Sequence, residues 1–356
     1  MLYPSFEFGG VVRHLSILSE GLMREGIRVS LLTDINKNIC QKPLYFNQIV
    51  NAKLIPSTLW NLFKGVGLLL YLHFTLRYTI IHSHHRFTTL MGKIASNLLG
   101  VPLVSTVHEF KNDRRFLVRY SLPEYIISPT RALALHLEEH FGLPKSRIVV
   151  IPHGLPDLNV PHPNSFQGLP WAPADRCIIG FIGRLSIEKV CEDFIHTAAL
   201  VLEEEPSVMF YVIGDGPQRH ELEGVTKKLS INNRVIFLGY REDIETLMSH
   251  INILVMPSHT ENFPYTLLEA MRAKIPVVAT KVGGIPEILE GYPSDLLVEP
   301  RQIDDLARGI LKLIRDPYLS TQLAEQNYSN FREYYSSERM VRGTLEIYDR
   351  LSRREI

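Results

Sequence analysis

The stretch "SHTENFPYTLLEAM" (Ser258 to Met271) sets two carboxylates, Glu261 and Glu269, eight positions apart. The apolar run "INILVMPS" (Ile251 to Ser258) just before it reads as a strand, so Glu261 is expected between a strand end and a helix starting near Pro264. A carboxylate there can accept hydroxyl hydrogen bonds from a sugar, close to open helix amides. Glu269 would lie about 12 Å further along if both were helical, a depth that suits a second diol such as a ribose. Upstream, "GFIGRLSIEKV" puts Arg184 at a strand end and Lys189 five residues later at a helix entry. Two cations at such a junction can bracket a diphosphate, each charge-assisted contact contributing about 1.5–3 kcal/mol. A ligand with two sugar rings joined by a diphosphate would satisfy all four groups. A plainer reading stands beside this one: a first-turn helix acid, a surface glutamate and a solvated Arg and Lys.

Three glycine turns, Gly9-Gly10, Gly214-Asp215-Gly216 and Gly283-Gly284, fall at expected strand ends in both halves of the chain. Each alone reads as a tight turn; together they mark the end of a sheet where ligands bind. No P-loop occurs, and no G-x-G-x-x-G follows a strand, which argues against nucleotide triphosphatases and dinucleotide dehydrogenases. In "HSHHRF", His82 and His84 alternate onto one face of a strand end, beside His85. No acidic or cysteine partner stands near them, so hydrogen-bonding histidines are expected rather than a metal site. The chain has no D-x-D motif, and the expected metal set is none. His153 in "IPHGLP" is left between a structural and a ligand-lining role.

The elements that must position these residues alternate. Strands are expected at 27–33, 78–84, 102–108, 125–129 and 147–152, then at 177–183, 208–214, 234–239, 251–257 and 276–280. The runs are almost wholly apolar, as parallel strands covered on both faces require. Helix-length segments between them imply right-handed crossovers. Six prolines between Pro152 and Pro173 read as a linker. The chain is therefore expected to be α/β, with two doubly wound Rossmann-like domains and an interdomain cleft. The domains are 1–155 on the acceptor side and 174–335 on the donor side, with a C-terminal helix at 336–356 packing back on the first. The opening "MLYPSFEFGG" leaves almost no room for a strand before Gly9-Gly10, so the first strand is expected to be missing and the natural start to lie upstream.

Lys plus Arg and Asp plus Glu both number 38, yet residues 1–150 carry 17 basic and 9 acidic side chains and the remainder 21 and 29. Residues 51–100 contain no Asp or Glu. A basic first half suits an anionic partner. Lys64, His73 and Arg77 interrupt the apolar stretch Leu59 to Ile81, which is read as a buried amphipathic helix or one lying on a membrane surface. Lys111, Arg114, Arg115 and Arg119 add to the basic face. Three cysteines, Cys40, Cys177 and Cys191, suit a reducing compartment, so a cytoplasmic protein docking on the inner face of the cell membrane is expected.

"GRLSIEK", "GDGP", "ENFPYTLLEAM" and "VGGIPEIL" together resemble the retaining glycosyltransferases of the GT-B fold, family 4 (glycosyl transferases group 1), over nearly the whole chain. The resemblance implies that Glu261 binds the donor sugar hydroxyls, Glu269 the nucleotide ribose, and Arg184 and Lys189 the donor diphosphate. Asn262 and Phe263 fall in the same donor-binding motif. It further implies that Gly9-Gly10 closes on the phosphate, that His108 stands by the transferred sugar, and that the nucleobase meets backbone at Gly239-Tyr240. His108 and Glu261 are then the catalytic candidates. Val190 stands where a glycine often follows the lysine, and Pro264 replaces a residue able to offer an amide. The function implied is retaining, metal-independent transfer of a hexosyl group from a nucleotide diphosphate sugar to a lipid-linked or saccharide acceptor in polysaccharide or glycolipid assembly. The nucleotide sugar is a substrate, no cofactor is expected, and nucleic acid is not an expected partner. The alternatives are a nucleotide-sugar epimerase on the same fold and an inactive scaffold protein.

Overall fold

The structure, a computed structural model, describes residues 1–5, 9–34, 46–55, 57–110, 123–157 and 176–353. Cys40, the basic cluster Lys111 to Arg119 and most of the proline-rich linker lie outside the described residues. The chain divides into two compact units, one of residues 1–156 with 335–356 and one of residues 157–334.

The first unit is built on a seven-stranded sheet of order β3-β2-β1-β4-β5-β6-β7. Its strands are β1 (Leu2–Ser5), β2 (Ser30–Asp34), β3 (Gln48–Asn51), β4 (Ile81–Ser83), β5 (Leu103–Thr106), β6 (Tyr125–Ser128) and β7 (Ile148–Val150), all parallel. This corrects the expectation of a missing first strand. Leu2–Ser5 forms it with only four residues, between β2 and β4. Leu32 N–H donates to Met1 C=O at 2.9 Å and His84 N–H to Leu2 C=O at 3.0 Å, so both of its edges are paired.

Helix α1 (Gly10–Arg24) follows β1, and the helix Ser337–Ser352 packs against it. Val341, Ile347 and Leu351 join Leu18, Leu22, Val104 and Ile127 in one core. The chain re-enters this unit beside the end of β7: Leu155 N–H donates to Tyr335 C=O and Ser337 N–H to Leu155 C=O. A Cβ at Gly154 would stand 2.3 Å from the Ser336 carbonyl oxygen, so glycine is required for this crossing.

Helix α2 (Leu59–Leu76) is apolar on both sides. It buries Leu62, Val66, Leu69 and Leu72 in the core it shares with α3 (Arg86–Leu99). The opposite face leaves Trp60 77%, Phe63 68%, Tyr71 64% and Phe74 76% exposed. Their positions recur at helical spacing, so they form one stripe. Neither of the two expectations alone describes this helix: one face is core and the other is an exposed aromatic surface.

The second unit repeats the plan in a six-stranded parallel sheet of order β10-β9-β8-β11-β12-β13. Its strands are β8 (Ile178–Ile182), β9 (Met209–Ile213), β10 (Val235–Gly239), β11 (Ile253–Met256), β12 (Val277–Thr280) and β13 (Leu297–Val298). In both sheets the order reverses beside the first strand. Such switch points open a crevice at the strand C-termini, where doubly wound sheets bind ligands. The flanking strands end there in Gly9-Gly10 and His82–His84 in the first unit, and in Arg184 and Ser258–Glu261 in the second.

Candidate active site

In the second unit the loops after β8 and β11 are tied together. His259 N–H donates to Glu188 C=O at 2.9 Å, and Lys189 N–H turns back to Ser186 C=O at 3.1 Å. Across this tie the Lys189 ammonium is ion-paired with Glu261 Oε1, and Ser258 Oγ donates to the same oxygen at 2.9 Å. The Glu261 side chain is 7% exposed and that of Lys189 29%. Arg184 is exposed on the first loop. The structure thus brings Lys189 and Glu261, expected separately as a diphosphate ligand and a sugar ligand, into direct contact.

The eight-residue spacing of the glutamates is not two helical turns. Glu261 sits in the loop, and the helix Tyr265–Arg272 begins after it with Pro264 as N-cap. Proline fixes its own φ and needs no amide partner, which suits this boundary. Glu269 lies inside the helix and is 4% exposed. Phe263 is buried beside the loop, and Asn262 is half-buried.

Two of the glycine turns have a specific reason. Gly283 has φ +55, and a Cβ on it would stand 1.4 Å from the Glu261 carbonyl oxygen. Gly214 has φ +134, and a Cβ there would stand 1.9 Å from the Gly183 carbonyl oxygen. Each lets a neighbouring strand-end loop pass against the loop that carries Glu261 or Arg184. Leu185 N–H then donates to Asp215 C=O at 3.0 Å, locking the second pair of loops. The Gly-x-Gly turn therefore supports the loop of Arg184 through backbone contact.

Val190, the N-cap of the helix Cys191–Glu204, has φ 50 and ψ 50. A β-branched residue in the left-handed region is strained, at about 1–2 kcal/mol. The position at which glycine is usual is the one where the backbone demands it. Gly239 ends β10 at φ +69, and its carbonyl accepts from Gly214 N–H at 2.8 Å. Tyr240 beside it is 55% exposed.

The remaining candidates belong to the first unit. Gly9 caps α1 and is exposed with Gly10. His108 Nε2 lies 3.2 Å from His84 Nδ1, and its Nδ1 lies 3.2 Å from His153 Nε2. His82 bonds Tyr348 Oη at 2.7 Å and Thr106 Oγ1 at 2.8 Å. Burial pushes the His108 imidazole down to about 3, with the nearby His85 adding to the effect. Burial likewise holds His14, His82, His84 and His153 well below the ordinary imidazole range, so all five are neutral at neutral pH. His85 stands apart from them as the cap of α3, its Nδ1 accepting from Phe87 N–H at 3.2 Å.

With this geometry in view, two family profiles divide the chain between them. "Glycosyltransferase Family 4" matches residues 8–157 and "Glycosyl transferases group 1" matches residues 170–330. The chain belongs to the family 4 glycosyltransferases. It is 27% identical to one component of the human phosphatidylinositol N-acetylglucosaminyltransferase, over 98% of this chain and 74% of that one. It is also 27% identical to the UDP-Gal:alpha-D-GlcNAc-diphosphoundecaprenol alpha-1,3-galactosyltransferase of Escherichia coli, over 81% of each chain. Among solved structures, Anabaena HepE in complex with UDP and glucose superposes with a TM-score of 0.78 at 22% identity, over 98% of each chain. That likeness establishes the GT-B fold, and the family establishes a transferase.

Several residues of this glycosyltransferase's site escape a reading of the sequence. Ser258 looks there like the mere end of an apolar run, yet its hydroxyl orients Glu261; a serine three positions before a loop carboxylate is the signal that could find it. Thr280 supports it in turn, donating to Ser258 C=O at 2.6 Å. His14 carries no local signal. Its ring meets His84, His108 and His153 only because α1 crosses the strand ends from which they come.

Proposed function

We propose that this glycosyltransferase moves a hexosyl group from a nucleotide diphosphate sugar to a lipid-linked acceptor, with retention of anomeric configuration and without a metal bridging the diphosphate. The observation that carries the reading is the cluster Lys189–Glu261–Ser258 beside Arg184 at the switch point of the second unit. It sets two cations and an oriented carboxylate on braced loops. The E. coli relative is named for a UDP-sugar donor and a diphosphoundecaprenol acceptor, and the human relative for phosphatidylinositol; both acceptors are phosphate-bearing lipids.

The chemistry follows from charge. As the sugar leaves, negative charge grows on the diphosphate, and preorganised cations there supply the largest catalytic term. The helix Cys191–Glu204 already carries Glu192 and Asp193 in its first turn, which answer its positive end. The helix Tyr265–Arg272 has no first-turn acid and no side-chain cap, so its positive end is not answered by its own side chains. Arg184 and Lys189 hold the leaving group, with the positive end of this helix in support. Glu261 grips the sugar hydroxyls and Glu269 the ribose. As in the family it resembles, attack and departure share one face, and the leaving phosphate takes the acceptor proton.

The first unit receives the acceptor. Its stripe Trp60, Phe63, Tyr71 and Phe74, with exposed Lys64 and Arg77, suits a helix lying in the interface of an anionic bilayer. Each basic side chain there contributes roughly 1 kcal/mol. The protein then works at the cytoplasmic membrane face. The test is a screen of nucleotide sugars against polyprenyl-phosphate and phosphatidylinositol acceptors, with product anomers read by NMR. An inverted product, or turnover of the nucleotide sugar to its epimer without an acceptor, would overturn the reading.

A further inference from the structure

Five histidines from four segments of the chain meet inside the first unit. His14 of α1 lies 4.3 Å from His153, 5.0 Å from His108 and 5.4 Å from His84 between ring centroids, and His82 stacks on His84 at 4.2 Å. One ring nitrogen from each of His14, His84 and His108 lies within 4.8 Å of the other two. His82 is fully engaged by Tyr348 and Thr106. His14 is not: at 3% exposure, neither of its nitrogens has a hydrogen-bond partner among the described residues, and His84 Nε2 has none either. Leaving a buried polar group unsatisfied costs about 1–3 kcal/mol, so such a ring calls for a bound water or ion.

We propose that His14, His84 and His108 form a binding site for a late first-row divalent cation, Zn²⁺ in particular. The donor set is all imidazole, which suits zinc, copper and nickel and not the oxygen-seeking Mg²⁺ or Ca²⁺. At tetrahedral zinc with bonds of about 2.0–2.1 Å, ligand nitrogens stand about 3.3–3.4 Å apart. His84 Nδ1 and His108 Nε2 already lie 3.2 Å apart. His14 also offers a nitrogen within 4.8 Å of one on each of them. His153 Nε2, 3.2 Å from His108 Nδ1, supplies the outer hydrogen bond that fixes a ligating imidazole. Three protein ligands leave a fourth position open to water or to another ligand. The site lies wholly in the first unit.

Direct metal binding tests this apart from transfer activity. The full chain, stripped with a chelator, is dialysed against Co²⁺ alone and then titrated with Zn²⁺ alone. The expected result is one equivalent of Co²⁺ with the visible absorption of a four-coordinate site, displaced by Zn²⁺, which also raises the melting temperature. His14→Gln should weaken binding at least about tenfold. The double variant His136→Gln/His140→Gln removes a stacked imidazole pair on another helix and should bind like the parent. The proposal is overturned if the parent retains no cation, or if the His136/His140 variant loses a cation that His14→Gln keeps. Should His14→Gln fail to fold, His84→Gln carries the same comparison, and the parent's result stands on its own.

Discussion

Lys189 and Glu261 are ion-paired across two strand-end loops, with Ser258 Oγ on the same carboxylate oxygen. The two residues therefore cannot act independently. A diphosphate drawing on Lys189 must share it with Glu261, and a sugar drawing on Glu261 meets a carboxylate already oriented. Glu261→Gln should leave the binding of a bare nucleoside diphosphate unchanged or tighter, because it releases the lysine. Transfer should fall on the order of 100-fold. Lys189→Ala should weaken nucleoside diphosphate binding by about 1.5–3 kcal/mol. Calorimetry on both single variants and the double variant checks the coupling; effects that add within about 0.3 kcal/mol would show that the pair is incidental.

Arg184 and Glu269 should separate by the part of the donor they hold. Arg184→Ala weakens a nucleoside diphosphate by about 1.5–3 kcal/mol and leaves the nucleoside alone. Glu269→Ala weakens both. The same loss of nucleoside affinity in the two variants would cancel these assignments.

Val190 provides a stability test. Val190→Gly removes the left-handed strain of about 1–2 kcal/mol and gives back part of it as chain entropy. The melting temperature of the second unit should rise by about 1–3 °C in calorimetry. Val190→Ala, which keeps a Cβ, should give no comparable rise; a rise as large as that of the glycine variant would refute strain as the cause.

The aromatic stripe of α2 should govern membrane contact. Trp60→Glu combined with Phe74→Glu should abolish sedimentation with vesicles containing anionic lipid. In the parent, sedimentation should weaken as salt rises and screens Lys64 and Arg77. Binding that survives both the double variant and high salt would place the contact elsewhere.

If Arg184 and Lys189 supply the positive charge at the diphosphate, as proposed, chelation should leave transfer intact. Activity lost to a chelator and restored by one divalent ion, in the parent and in His14→Gln alike, would require a metal at the donor instead.

The fold is legible in the sequence where strands are long and apolar. The expected strand at 208–214 contains the observed Met209–Ile213 almost residue for residue. Leu2–Ser5 is not legible, because a four-residue strand before a glycine turn offers too few side chains to show a period, although it lies mid-sheet. Gln48–Asn51, at the sheet edge and partly polar, and the two-residue Leu297–Val298 are hidden for related reasons. At the site, charge next to strand ends points to Arg184, Lys189 and Glu261. Their pairing is invisible in the sequence, because contact between residues 189 and 261 depends on two loops meeting at a switch point. Val190 stands out as an unusual residue type, but only the backbone shows what glycine would do there.

The crossing at Gly154 and Ser336 also sets an order of events during synthesis. The second unit is one continuous segment and can fold as soon as it has left the ribosome. The first unit begins earlier and finishes later: its core waits for Val341, Ile347 and Leu351 of the helix Ser337–Ser352. At roughly 5–20 residues per second, that wait is on the order of tens of seconds. Through it, the groove on α1 that this helix will fill stays uncovered on the nascent chain, a surface a chaperone would shield.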